Sequence, residues 1–202
     1  MKHSIRILAL VLAALMIAAL TACTFSVDIS KAFSRGTQEG DVYTSTFSGI
    51  TFTKPSSWTF YTDEQIADVT GTTLEMLKDN EKFTKTAEGE LVDFYAVSGN
   101  GDAVTISFSK GGFLTELQAS IDLSIEQIVD AYRTLNFTVD VSEQTDAKLG
   151  SVDMQKVTLM LKTTGATLQQ YLYFTMVGRY VVCVTCTNAS GVTDTQFEQM
   201  FS

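Results

Sequence analysis

The segment Leu168–Val177 most constrains the fold of this chain, because it is apolar on both sides. Along it, Leu172, Phe174 and Met176 alternate with Tyr171, Tyr173 and Val177. Successive side chains of a β-strand point to opposite faces of the sheet, so both faces of this strand would be apolar. Such a strand lies in the centre of a sheet that is covered on both sides. We therefore predict a sheet with helices packed on both of its faces.

The other predicted strands pair in an antiparallel manner, because short turns connect them. Asn100-Gly101 is a strong hairpin signal, and it joins the most clearly defined pair. In chain order, the strands are Val42–Phe47, Gly49–Thr53, Leu91–Val97, Ala103–Ser109, Thr138–Lys148, Val152–Thr163, Leu168–Val177 and Tyr180–Thr187.

Three capping boxes predict where helices begin. They are Thr62-x-x-Gln65, Thr72-x-x-Glu75 and Ser124-x-x-Gln127. The third precedes a stripe with helical spacing, formed by Ile125, Ile128, Val129, Tyr132 and Leu135. A last amphipathic helix is predicted after Thr193 or Asp194, running to the C-terminus with Phe197, Met200 and Phe201 on one face. Together these elements predict a single α+β domain, mainly an antiparallel β-sheet with helices on both faces.

The N-terminal segment has the three parts of a secretory signal. Lys2, His3 and Arg6 form a basic start, and the apolar segment Ile7–Leu20 follows. A helix that spans a bilayer needs about 20 apolar residues, and this segment is shorter. We therefore expect it to be an export signal.

The end of that segment, Leu20-Thr21-Ala22-Cys23, resembles the lipobox of bacterial lipoproteins. The resemblance implies that a signal peptidase recognises Leu20 and Ala22, cleaves before Cys23, and leaves a cysteine that carries lipid. An ordinary signal peptide cleaved beside a cysteine is the alternative. We expect residues 1–22 to be the signal peptide, 23–40 a lipidated polar tether, and 41–202 the folded domain.

Charge limits the partners of the mature chain. Loss of Lys2 and Arg6 leaves 12 basic residues against 23 acidic ones, a net charge of −11. Nucleic acids and anionic lipid surfaces attract proteins through clustered Lys and Arg. We therefore expect no nucleic-acid partner and no electrostatic adhesion to lipid.

Catalytic and metal-binding patterns are scarce in this sequence. Cleavage removes the one histidine, His3, and with it any Ser-His-Asp triad or imidazole zinc ligand. Asn100 with Asp102, or Asp63 with Glu64, could supply oxygen ligands for calcium, but no calcium-loop pattern surrounds them. We expect no catalytic residue, no metal and no cofactor.

Two further features are open to more than one interpretation. Cys183 and Cys186 have the spacing of a redox or zinc motif, but positions three apart in a strand face opposite ways. We predict two buried thiols rather than a local disulfide. Phe113 and Leu114 could present an apolar tip to a partner, although core packing is the commoner use of aromatic residues.

The run Gly49-Ile50-Thr51-Phe52-Thr53-Lys54-Pro55-Ser56-Ser57-Trp58 resembles the opening hairpin of the PsbP-like superfamily. That superfamily includes an extrinsic photosystem subunit and a binding partner of the Ran GTPase. The resemblance implies an antiparallel sheet between helices and a non-catalytic binding role, and it assigns no functional residue. Packing explains the same residues: Phe52 points inward, Pro55 ends the strand, and Trp58 covers the sheet edge.

These features lead us to expect a non-enzymatic, lipid-anchored protein of the bacterial envelope. It would lie on the outer face of the cytoplasmic membrane or on an outer membrane, and it would bind or scaffold another envelope component. A carrier or sensor of a small apolar ligand is the alternative, followed by a histidine-free hydrolase.

Overall fold

The computed structural model describes residues 33–85, 90–110 and 117–202. These residues form an α+β fold dominated by an antiparallel sheet of eight strands, beside a smaller sheet of three. The predicted fold class is confirmed. Within the described ranges, no helix has the length and apolar character needed to cross a membrane.

The strands and helices are named here in chain order. The strands are β1 Thr37–Glu39, β2 Val42–Ser45, β3 Ile50–Thr53, β4 Trp58–Phe60, β5 Glu90–Ser98, β6 Ala103–Lys110, β7 Thr138–Val141, β8 Thr145–Leu149, β9 Val152–Thr163, β10 Ala166–Val177 and β11 Tyr180–Asn188. The helices are α1 Asp63–Val69, α2 Leu74–Lys78, α3 Asn80–Lys85, α4 Leu117–Thr134 and α5 Asp194–Glu198.

The large sheet has the order β4-β5-β6-β11-β10-β9-β7, and β8 pairs with the other end of β9. The strand predicted at 138–148 is therefore two strands, β7 and β8, that use successive parts of the same neighbour. The interruption occurs at Ser142, whose hydroxyl accepts a hydrogen bond of 2.9 Å from the Thr158 N–H. The small sheet has the order β1-β2-β3.

Two apolar cores lie against the large sheet, as the segment 168–177 predicted. Tyr171 and Tyr173 of β10 belong to a core shared with the small sheet and with α1, α2, α3 and α5. Leu172 and Phe174, on the other face of β10, belong to a second core with α4. Helices therefore pack on both faces of the sheet, which confirms the prediction.

The first predicted capping box is confirmed. The second predicted cap is one residue too early, because the helix is capped by the next residue. Thr62 and Gln65 form the reciprocal capping bonds of α1. Helix α2 is capped by Thr73, not by Thr72. The Thr72 hydroxyl instead accepts a hydrogen bond of 3.0 Å from the Val92 N–H of β5. Thr72 thus satisfies a strand donor that would otherwise be buried without a partner.

Two other helix boundaries differ from the predictions, namely the start of α4 and the end of α5. Helix α4 begins at Leu117, so Ser124 lies inside it, and the Ser124 hydroxyl donates to the Ser120 carbonyl at 2.8 Å. The predicted stripe is nevertheless buried at Ile128, Val129 and Tyr132. Helix α5 is capped by Thr193, as predicted, but ends at Glu198, before the C-terminus.

The hairpin β5–β6 and the packing of the 49–58 run agree with the sequence predictions. Gly101 has a φ of 94° in the turn after Asn100, a conformation that favours glycine. Phe52 is fully buried, and Trp58 lies in the edge strand β4 with its ring centroid 6.2 Å from that of Phe197.

The tether predicted at 23–40 extends too far into the chain. Phe33 is buried in the first core, and residues 37–39 form a strand that pairs with β2. The folded part therefore includes residues from 33 onward, because sequence polarity does not reveal single buried anchors. The proposed signal peptide and Cys23 lie outside the described residues.

Candidate functional site

Arg35 forms the densest polar cluster that the described residues contain. Its Nε donates to Asp93 Oδ1 at 2.6 Å, and its terminal nitrogens donate to both carboxylate oxygens of Asp63 at 2.9 and 3.0 Å. Two more bonds reach the carbonyls of Leu77 and Asp93. Burial alone would lower the pKa of Arg35, but the two carboxylates outweigh it and raise that pKa.

Asp93 receives this guanidinium inside the protein. It occupies an irregularity in the pairing of β5 with β6, between Val92 and Phe94. The Gly36 N–H and the Tyr43 hydroxyl donate to its second oxygen at 2.7 and 2.5 Å. Burial raises the pKa of the Asp93 carboxyl, and the Arg35 charge together with these donors offsets only part of that rise.

Residues 33–36, which we call the strap, also fill an aromatic cage. The Phe33 ring lies with its centroid 4.9 to 5.3 Å from four other rings, those of Phe47, Phe83, Phe108 and Tyr180. At Gly36 the backbone passes so close to the Tyr43 ring that any side chain would collide with it. The strap is therefore held by packing and by charge.

The contacts of the strap are those of a structural anchor rather than of a reaction centre. Each nitrogen of the Arg35 side chain donates to an oxygen, and both oxygens of Asp93 accept. Breaking such a buried pair by removing one partner costs about 3–5 kcal/mol. The site thus fixes where the chain segment before residue 33 enters the fold.

Glu90, the first residue of β5, is the second unusual group. Its side chain is buried, and its Oε2 has no hydrogen-bond partner among the described residues. Burial raises the pKa of Glu90 to about 8, partly offset by a hydrogen bond from Ser107. At neutral pH this carboxyl is therefore mostly protonated.

A layer of buried polar side chains shares the sheet face with Glu90. Ser109 is its cross-strand partner, and Ser107 and Thr105 follow along β6 with the same alternation. Tyr95, the partner of Thr105, has a buried hydroxyl with no hydrogen-bond partner in the described structure. We call this set the polar layer. Perturbed acids in such settings are candidates for functional sites.

Helix α4 carries polar contacts to the same sheet. The Tyr132 hydroxyl donates to Gln170 Oε1 at 2.8 Å, and Gln170 Nε2 donates to the Thr187 hydroxyl at 3.1 Å. All three residues are buried. This chain of bonds satisfies its members, which distinguishes it from Glu90.

The two strand cysteines are buried free thiols, as predicted. Cys183 belongs to the second core and Cys186 to the first, so they lie on opposite faces of β11. Burial raises the pKa of the Cys183 thiol to about 12 and that of Cys186 well above its ordinary value. Neither thiol has the exposure or the acidity of a reactive cysteine.

Thiol reactivity should therefore depend on unfolding. We expect a disulfide-exchange reagent to modify neither Cys183 nor Cys186 in the native protein and to modify both in denaturant. The absorbance of the thiolate that the reagent releases gives the number of protein thiols that have reacted. Absence of both thiols from the denatured, unreduced protein would contradict the buried-thiol interpretation.

The acidic pairs considered for calcium have other roles in the structure. Asp102 is buried and accepts hydrogen bonds from Ser98, from the Ala189 N–H, and from the N–H and hydroxyl of Ser190. Asp63 pairs with Arg35. Across the described part of the chain, no group of three or more His, Cys, Asp or Glu residues is placed to hold a metal ion.

The surface gives little support to a pocket for a small apolar ligand. A concavity of about 610 Å³ lies over the β8–β9 hairpin, where Lys148 and Asp153 form an ion pair of 2.7 Å. A lining that includes these charges does not suit an apolar ligand. Phe113 and Leu114 lie outside the described residues.

The sequence did not point to either of the two unusual sites. Arg35 stands in a polar segment that resembles a linker, and its two carboxylate partners are 28 and 58 residues away. Glu90 precedes a predicted strand, where an acidic residue normally marks its exposed end. The nearest signal was Phe33, one of two aromatic residues in the predicted tether.

Comparison with known proteins assigns the chain to no family. No protein-family model matches the chain, and no curated protein matches it. A crystal structure of a protein from Bacteroides thetaiotaomicron is similar at 14% identity and a TM-score of 0.43. The match covers 81% of this chain and 47% of the other, so this chain spans about half the length of that structure.

Proposed function

We propose that this protein is an extracytoplasmic, lipid-anchored lipoprotein whose folded domain binds or scaffolds another component of the bacterial envelope. The observation that carries this proposal is Leu20-Thr21-Ala22-Cys23 at the end of an apolar segment with a basic start. A diacylglycerol on Cys23 would place two acyl chains in the bilayer, which suffices for stable anchoring.

The chemistry of the folded part supports a binding role rather than catalysis. The Arg35 cluster stabilises the fold, and the two thiols are buried and weakly acidic. The resemblance of residues 49–58 to PsbP-like proteins agrees with this role, because that superfamily contains non-catalytic binding proteins. Crosslinking on intact cells, followed by identification of the captured proteins, tests for an envelope partner.

Lipidation can be tested in cells that express the full chain. We expect a clickable fatty acid to label the protein, and we expect Cys23→Ala to abolish that label because no other thiol is exposed in the described structure. Cys183→Ala serves as the matched control and should keep the label. Label that persists on Cys23→Ala would contradict the anchor.

A further inference from the structure

The strap enters the fold at one defined end of the large sheet. Two rings of its cage, Phe108 and Tyr180, lie near the end of β6 and at the start of β11, where Lys110 pairs with Tyr180. Phe83 of α3 supplies a third ring. We call this end the strap end of the sheet.

The opposite end of the same strands, which we call the far end, carries the 98–102 turn. There Ala103 pairs with Thr187, and Asp102 holds the 189–190 backbone. The seven residue steps from Ala103 to Lys110 separate the two ends by about 23 Å at 3.3 Å per residue. The far end is thus about that distance from the strap end, where Phe33 is packed.

The segment that joins the strap to Cys23 is short compared with the domain. Nine residues lie between Cys23 and Phe33, which are therefore ten residue steps apart. Fully extended, ten residues span at most about 36 Å, and in any other conformation they span less. A domain of about 170 residues has a diameter near 40 Å, estimated from its radius of gyration. Turning the far end toward the bilayer would require this segment to run the length of the domain.

We infer that the strap holds the domain with its strap end against the lipid bilayer and its far end directed away from it. This inference rests on the proposed lipid anchor at Cys23. The bilayer is therefore the partner of the strap end, and the far end is the surface open to an envelope partner. Arg35 and Phe33 set this orientation because they shorten the free segment to the nine residues between Cys23 and Phe33.

Single fluorescent labels on the lipidated full-length protein test this orientation. Lys85→Cys places a label on α3 at the strap end, where the side chain is 74% exposed. Asn100→Cys places one in the exposed turn at the far end. Cys183 and Cys186 are buried, so the native protein should react at the introduced cysteine alone.

Quenching by lipids with a quencher on the headgroup gives the readout. With about 23 Å of strand between the ends, we expect quenching of the Lys85→Cys label to exceed that of the Asn100→Cys label by about twofold or more. Equal quenching, or stronger quenching at Asn100→Cys, would overturn the orientation while leaving the anchor intact. If the protein does not sediment with the vesicles and stays in the supernatant, both the anchor and the orientation are overturned.

A longer tether serves as the control for the orientation. Insertion of 20 Gly and Ser residues between residues 28 and 29 adds up to about 70 Å of reach and changes no described residue. We expect the difference between the two labels to shrink in this variant. A difference that is unchanged would show that another contact with the bilayer, not the short segment, orients the domain.

Discussion

Replacement of Arg35 with Met is expected to lower the free energy of unfolding by about 3–5 kcal/mol. Met retains much of the side-chain volume, so the change mainly removes the charge and the donors. Asp93, whose side chain is fully buried, would lose the guanidinium 2.6 Å away, and its carboxylate would then be uncompensated or would have to take up a proton. Denaturant unfolding followed by circular dichroism measures the effect.

A second substitution separates the ion pair from simple packing. Asp93→Asn removes the buried charge, so the double variant with Arg35→Met should lose less stability than the two single variants predict by addition. Arg133→Met is the matched control, because its pair with Asp130 is exposed and worth little. A loss for Arg35→Met no larger than for Arg133→Met would show that the ion pairs of Arg35 contribute nothing to stability.

Replacement of Glu90 with Gln is expected to stabilise the protein at pH 8 by about 2 kcal/mol or more. The folded state retains the Glu90 proton to about pH 8, whereas the unfolded chain releases it near its ordinary pKa of 4.5. Stability from this group is therefore complete below pH 4.5 and is lost as the pH rises toward 8. The full loss corresponds to about 4–5 kcal/mol, and an imperfectly bonded amide recovers part of it.

The pH profile provides the check on this prediction. Unfolding free energies measured between pH 4 and pH 9 should fall with pH more steeply for the wild type than for Glu90→Gln. Near pH 4, where both side chains are neutral, the wild type should be the more stable protein by the part of the loss that the amide does not recover, so the two curves should cross between pH 4 and pH 8. Glu126→Gln, on the exposed side of α4, should leave the profile unchanged. If Glu90→Gln were less stable than wild type at pH 8, the Glu90 carboxylate would be paired and useful to the fold.

Features set by neighbouring residues could be predicted from the sequence. Asn100-Gly101 specified the β5–β6 turn, and Thr62 with Gln65 specified the start of α1, because each acts through bonds within a few residues. The double-sided apolar pattern of 168–177 predicted a covered central strand. A strand that is buried on both faces has apolar residues at successive positions, and this pattern can be recognised within the strand itself.

Features that depend on distant contacts could not be predicted in this way. Ser124 has the pattern of a helix cap, yet α4 starts seven residues earlier and the hydroxyl bonds within the helix. Arg35 owes its burial to Asp63 and Asp93, which only the folded chain brings near it. Glu90 is buried because β6 and its neighbours cover it, and no local pattern records that.

The small sheet has a consequence for the order of folding. Its strands are close in sequence, but Phe52 of β3 bridges to Phe201, about 150 residues later in the chain, and Phe33 packs on Tyr180. Phe94 of β5 covers part of the apolar side of the small sheet, but this cover stays incomplete until β11 and the segment after α5 have been made. Such distant closure slows folding. The first strands of the chain should therefore be among the last to become stably packed.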